Sequence, residues 1–108
     1  MKELIDKLYD ETYSPKLTPE ILLSNLNLPN YTNITFEKKE GCVIATTHCI
    51  LENGNEATYR YYFQADLLTI LESSIEGKTE IIYNREIEKQ KLVTRIKGIE
   101  KHIKKNYA

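Results

Sequence analysis

The side chains best suited to bond-making chemistry are few: two cysteines, Cys42 and Cys49, and two histidines, His48 and His102. A zinc site needs three or four such ligands at close spacing, and neither Cys-x-x-Cys nor His-x-x-x-His occurs. No metal centre is expected. Cys42 and Cys49 stand seven positions apart in one β-branched run, which on a strand sets them about 23 Å apart on opposite faces. They can neither bond to each other nor share a ligand, and they read as two reduced thiols. His48 and Cys49 diverge in the same way, which removes an imidazole-activated thiol; the plainer expectation for His48 is a cross-strand pair with Tyr59.

Other catalytic patterns are missing. The four glycines, Gly41, Gly54, Gly77 and Gly98, form no phosphate-cradling loop, and each has a turn, cap or helix reading. Ser73-Ser74 lacks the glycine flanks of a nucleophile elbow. The sixteen acidic residues are dispersed, and nothing in their spacing singles out an acid–base pair. The expectation is therefore a non-enzyme with no cofactor and no catalytic residues.

Two features suit recognition instead. The run Tyr59-Arg60-Tyr61-Tyr62-Phe63 combines the residue types that dominate protein-interface anchors and that stack on nucleic-acid bases, although aromatic residues also favour strands for packing alone. On a strand it divides into Tyr59, Tyr61 and Phe63 on one face and Arg60 and Tyr62 on the other. Charge is also unevenly placed. Residues 86–108 carry seven Lys+Arg against three Asp+Glu, whereas residues 1–85 carry eight against thirteen. Lys97, Lys101, Lys104 and Lys105 fall opposite an apolar helical seam, where they suit phosphate contacts or simply complement the helix macrodipole and keep a surface solvated.

These residues need a scaffold. Leu4, Ile5, Leu8 and Tyr9 stripe a first short helix over residues 2–13, which Ser14-Pro15 ends. Thr18-Pro19-Glu20 supplies an N-cap, an N1 proline and a first-turn acid for a second short helix to about Leu26, with Leu17 placed to staple onto Leu22. From Thr32 the apolar period becomes two. Asn53-Gly54 between Val43–Glu52 and Asn55–Gln64 is the favoured pair for a two-residue hairpin, which sets His48 opposite Tyr59, Thr46 opposite Tyr61 and Ile44 opposite Phe63. In that register Ile44, Ile50, Tyr59, Tyr61 and Phe63 line the core, and Arg60, Tyr62 and Thr47 share a partly exposed face.

Residues 66–76 fit two states. Leu67, Leu71 and Ile75 at i, i+4 and i+8, with Asp66 as cap and Gly77 as C′, favour a helix; as a strand the same segment would turn at Glu76-Gly77-Lys78 into a strand over 79–84. From Glu86 to Tyr107, Leu92, Ile96, Ile99 and Ile103 mark a long helix whose seam would cover the sheet or pair across a homodimer, with Gly98 a costly interior residue that some close contact should explain.

The fold expected is thus one α+β domain over residues 1–108: an antiparallel sheet of three to four strands around the Asn53-Gly54 hairpin, two short N-terminal helices and a long C-terminal helix. No apolar run reaches the roughly 18 residues of a membrane helix, and Met1–Lys7 lacks a secretory h-region, so a cytoplasmic protein is expected. Twelve Lys to three Arg, with thirteen Ile, eight Asn and eight Tyr, match AT-rich codons. Together these features suggest a small protein-binding module, an inhibitor or adaptor of a larger partner, of the type found among phage or mobile-element anti-defence proteins. Its acidic body would engage a basic groove of the kind that holds nucleic acid, using Arg60, Tyr62 and Thr47. The alternative is direct nucleic-acid binding through Lys97, Lys101, Lys104 and Lys105.

Overall fold

The β-branched and aromatic residues between Tyr31 and Asn84 form a five-stranded antiparallel meander in a computed structural model that describes residues 1–107, with side chains as far as Ile103. Its strands are β1 (Tyr31–Lys39), β2 (Cys42–Ile50), β3 (Glu56–Gln64), β4 (Leu67–Ile75) and β5 (Lys78–Asn84), hydrogen-bonded in chain order. Two helices, α1 (Lys2–Tyr13) and α2 (Pro19–Ser24), precede the sheet, and α3 (Arg85–Tyr107) follows it. The α+β class and the long C-terminal helix are as expected. The strand count is higher, because 67–75 is a strand rather than the favoured helix.

Turn geometry explains part of that difference. Glu40-Gly41, Ala65-Asp66 and Glu76-Gly77 each connect neighbouring strands with both residues at positive φ, the two-residue geometry that matches strand twist. Ala65-Asp66 reaches this geometry without glycine, so its sequence carries little of the usual turn signal. Asn53-Gly54, the strongest turn signal, behaves differently. The Gly54 N–H donates to the Leu51 carbonyl (2.9 Å), the Leu51 N–H donates to the Asn55 carbonyl (2.8 Å), and Gly54 takes φ +86°, giving a three-residue loop. Asn53 Oδ1 accepts the Asn55 N–H at 3.0 Å.

The extra loop residue shifts β2–β3 by one position from the expected register. Ala45 pairs with Tyr61, Thr47 with Tyr59, Cys49 with Ala57, and Val43 with Phe63. The physical reason lies in charge and volume. The observed register gathers uncharged residues on one face and sets small side chains opposite large rings, while Glu56 and Arg60 go to the other face with Ile50 and Thr46. The two-residue register would have placed both charges among Val43, Ala45 and Cys49.

The inner face is the core. Ala45, Tyr61, Phe63 and Leu68 are buried beneath Leu22 of α2, and Leu17, Ile34, Tyr59, Leu71 and Tyr83 pack against that cluster. The Thr18 hydroxyl caps α2 by accepting the Ile21 N–H at 3.4 Å, and Pro19 occupies its first turn. A helix of six residues is too short to persist alone, so the burial of Leu22 is what holds it.

The chain groups by its contacts into this sheet unit, Pro15–Asn84, and a helical unit of Met1–Ser14 with residues from Arg85 onward. In the helical unit α1 and α3 pack together, with Leu4 buried and Leu8, Leu92, Ile96 and Ile99 half-buried. The α3 seam therefore faces α1. Arg85 is buried and donates through Nη1 to the Glu11 carbonyl, tying the start of α3 to the last turn of α1. Gly98 has open space where a Cβ would stand, so the close contact expected there is absent among the described residues.

Candidate functional site

The outer sheet face has no buried residue, and its side chains fall into rows set by the strand register. One row reads Glu37, Ile44, Tyr62, Ile70 and Asn84; the next reads Thr35, Thr46, Arg60, Glu72 and Ile81. Tyr62 and Arg60 thus stand on the central strand β3, with isoleucines flanking Tyr62 and a carboxylate beside Arg60. Both are held in place. Glu72 Oε1 accepts the Tyr62 hydroxyl at 3.3 Å and Arg60 Nη1 at 3.3 Å. The Tyr62 phenol is pushed up from its ordinary value by burial, and further by the neighbouring Glu72 charge and the hydrogen bond to it. It therefore remains a neutral donor at physiological pH.

A concavity of about 490 Å³ adjoins this cluster, and Glu37, Lys39, Ile44, Thr46, Arg60 and Tyr62 are among the residues that line it. Its walls mix apolar, aromatic and both signs of charged side chain. Such a surface suits the core and rim of a protein contact better than the uniformly basic track that a phosphate backbone requires.

Thr47 does not belong to this face. It is fully buried on the inner side, opposite Tyr59, which corrects its placement beside Arg60 and Tyr62. The one-residue register shift is the cause, since it exchanges the faces of the two strands relative to each other. The Thr47 hydroxyl has no partner at hydrogen-bond geometry, although its nearness to the Tyr61 phenol lowers that group's pKa against the larger upward effect of burial.

The histidine and cysteine expectations divide. His48 pairs with Thr58 rather than Tyr59, and its Nδ1 lies 3.2 Å from the Thr58 hydroxyl. This hydroxyl–imidazole contact escaped the sequence reading because it depends on the register. Among the described residues no carboxylate orients the other ring nitrogen, so the pair lacks the third group that makes a hydroxyl nucleophilic. Cys42 and Cys49 are free thiols, half-buried and buried respectively, and burial pushes the Cys49 thiol up, away from reactivity. Among the described residues no group of three or more His, Cys, Asp or Glu is placed to hold a metal ion.

On α3, Lys97 and Lys101 are exposed; the side chains of Lys104 and Lys105 lie outside the described residues. No described helix is long and apolar enough to cross a membrane. Comparison with protein-family models, curated proteins and solved structures gives no match.

Proposed function

We propose that the chain is a small protein-binding module whose outer sheet face, centred on Tyr62 and Arg60, docks onto a larger partner as an inhibitor or adaptor. The observation that carries this reading is the Arg60–Glu72–Tyr62 cluster, which spans the central strand β3 and its neighbour β4 on a face with no buried residue. Tyrosine and arginine give large contact area at modest entropic cost, and one carboxylate already holds both, so little ordering remains for the moment of binding. The sheet unit carries five Lys+Arg against nine Asp+Glu, which favours a partner with a basic surface. A groove that ordinarily holds nucleic acid has that chemistry, and occupying it would block it sterically.

The test is affinity capture with the full tagged chain from a lysate of its source, with and without nuclease. The reading expects a near-stoichiometric protein that survives nuclease and is lost with Arg60→Ala/Tyr62→Ala. Recovery of nucleic acid instead, with a steep salt dependence that flattens when Lys97, Lys101, Lys104 and Lys105 are neutralised, would replace it with the basic-helix reading.

A further inference from the structure

Only one of the eight asparagines is followed by a residue without a side chain. Asn53 precedes Gly54 at the tip of the β2–β3 loop, and the other seven precede Leu, Tyr, Ile, Glu or Arg. Both loop residues are exposed, and Gly54, at φ +86°, has open space where a Cβ would stand. The Gly54 backbone nitrogen is thus open to the side-chain amide that precedes it. Asn53 Oδ1 accepts the Asn55 N–H at 3.0 Å, which closes a ring that contains the Gly54 nitrogen and keeps the Asn53 amide carbon beside it. That N–H also points to the oxygen on which negative charge gathers when the carbon is attacked.

We propose that Asn53 is a self-modification site, at which the Gly54 backbone nitrogen attacks the Asn53 side-chain amide carbon and converts the residue to aspartate or isoaspartate. The nitrogen gives its proton to hydroxide, the new C–N bond closes a five-membered succinimide, and the C–Nδ2 bond breaks to release ammonia. Water then opens the ring. Cleavage of the new bond leaves aspartate, whereas cleavage of the original peptide bond leaves isoaspartate, whose main chain runs through Cβ. One amide and one water are consumed, one carboxylate and one ammonium ion are formed, and no oxidant or reductant takes part.

One contact opposes the reaction. The Gly54 N–H donates to the Leu51 carbonyl at 2.9 Å, and this bond must open before the nitrogen can lose its proton. A single hydrogen bond at an exposed turn opens readily, so it should slow the folded chain by no more than about tenfold relative to the unfolded one. The product does not fit the loop that made it. Isoaspartate adds a main-chain atom between Leu51 and Asn55, whose 2.8 Å hydrogen bond closes the three-residue loop. Either product also sets a new carboxylate between Glu52 and Glu56 in the sequence, one negative charge beyond the chain's net −1. The loop end of the β2–β3 hairpin therefore loosens.

Incubation of the full chain in mildly alkaline buffer at physiological temperature, folded and in urea, tests the proposal, with peptide mass mapping that resolves aspartyl from isoaspartyl forms. Asn53 should react at least about tenfold faster than any other asparagine, and its folded rate should stay within about tenfold of the rate in urea. Asn53→Gln, whose ring would need six members, should slow ammonia loss at that position by at least about tenfold. Asn53→Asp keeps the Oδ1 acceptor and supplies a standard for the aspartyl product. In the isolated isoaspartyl form the Leu51 and Gly54 amides should exchange with deuterium at least about tenfold faster than in the unmodified chain. An asparagine elsewhere that reacts first, a folded chain protected by more than about tenfold, undiminished ammonia loss in Asn53→Gln, or unchanged exchange at Leu51 and Gly54 would each overturn the proposal. Tyr62→Ala should leave the rate untouched, which keeps this result separate from the fate of the outer sheet face.

Discussion

The two faces of the sheet are built from the same five strands and the same residue classes, yet they differ in what their side chains do. Inside, Ala45, Thr47, Cys49 and Ala57 lie opposite or beside Tyr59, Tyr61 and Phe63, and no charge interrupts them on β2 or β3. Outside, Ile44, Tyr62 and Ile70 stand half-exposed next to Arg60 and Glu72, and Glu72 accepts hydrogen bonds from both Arg60 and Tyr62. Aromatic residues on one face supply cohesion, whereas aromatic residues on the other are left available. The lesson is that composition along a strand does not assign such roles; register does, and here one additional loop residue at Glu52–Gly54 decides it.

If the inner face carries stability, Leu22→Ala should be the most damaging single change. It opens a cavity where Leu22 of α2 packs into the cluster and should cost about 2–5 kcal/mol in denaturant unfolding. A loss below 1 kcal/mol would mean that α2 is an ornament on the sheet rather than its cover.

A pH experiment sharpens the same contrast. The Tyr61 phenol is pushed up to about 12, first by burial and then by the charge of Tyr31, against an ordinary value of 10.0. Between these values the folded chain keeps a proton that the unfolded chain has released. Stability from this group is therefore complete below pH 10 and falls as pH rises toward about 12. Tyr61→Phe should flatten that alkaline decline. It will not abolish it, because Tyr31 and Cys49 are raised by burial with the same sign. An unaltered slope in the variant would place the sensitivity elsewhere.

The smallest expected effect is the most discriminating. Thr47→Val replaces a buried hydroxyl lacking hydrogen-bond geometry with a methyl of similar shape, and should raise stability by about 1 kcal/mol. It should do nothing to partner binding. A destabilised variant would show that the weak approach to Tyr61 matters more than its geometry suggests.

Much of this architecture was legible from residue spacing. The Thr18-Pro19-Glu20 cap, the period-two run from Thr32, and the long apolar seam from Leu92 all lie where local chemistry placed them. What escaped was decided by competition between levels. Leu67, Leu71 and Ile75 satisfy a helical period, whereas on the strand a bulge turns Leu68 inward with Leu71 and Ile75, and Ala65-Asp66 has no glycine to mark the turn. Asn53-Gly54 announced a hairpin correctly, while the choice between two and three loop residues rested on which register segregates Arg60 and Glu56 from the core. For the candidate site, Arg60 and Tyr62 on a shared outer face followed from alternation alone. Thr47 depends on the register of a second strand, and Glu72, which organises the cluster, on a segment whose spacing fits both helix and strand and favours the helix.

The central claim is that the outer face recognises a protein and the inner face does not. Its most direct test is a titration of the captured partner against the wild type, Thr47→Val and Tyr62→Ala side by side, each first shown to be folded. The account predicts wild-type affinity for Thr47→Val and a loss of at least about 30-fold for Tyr62→Ala, the scale of an interface anchor. Equal affinity across all three proteins would contradict it.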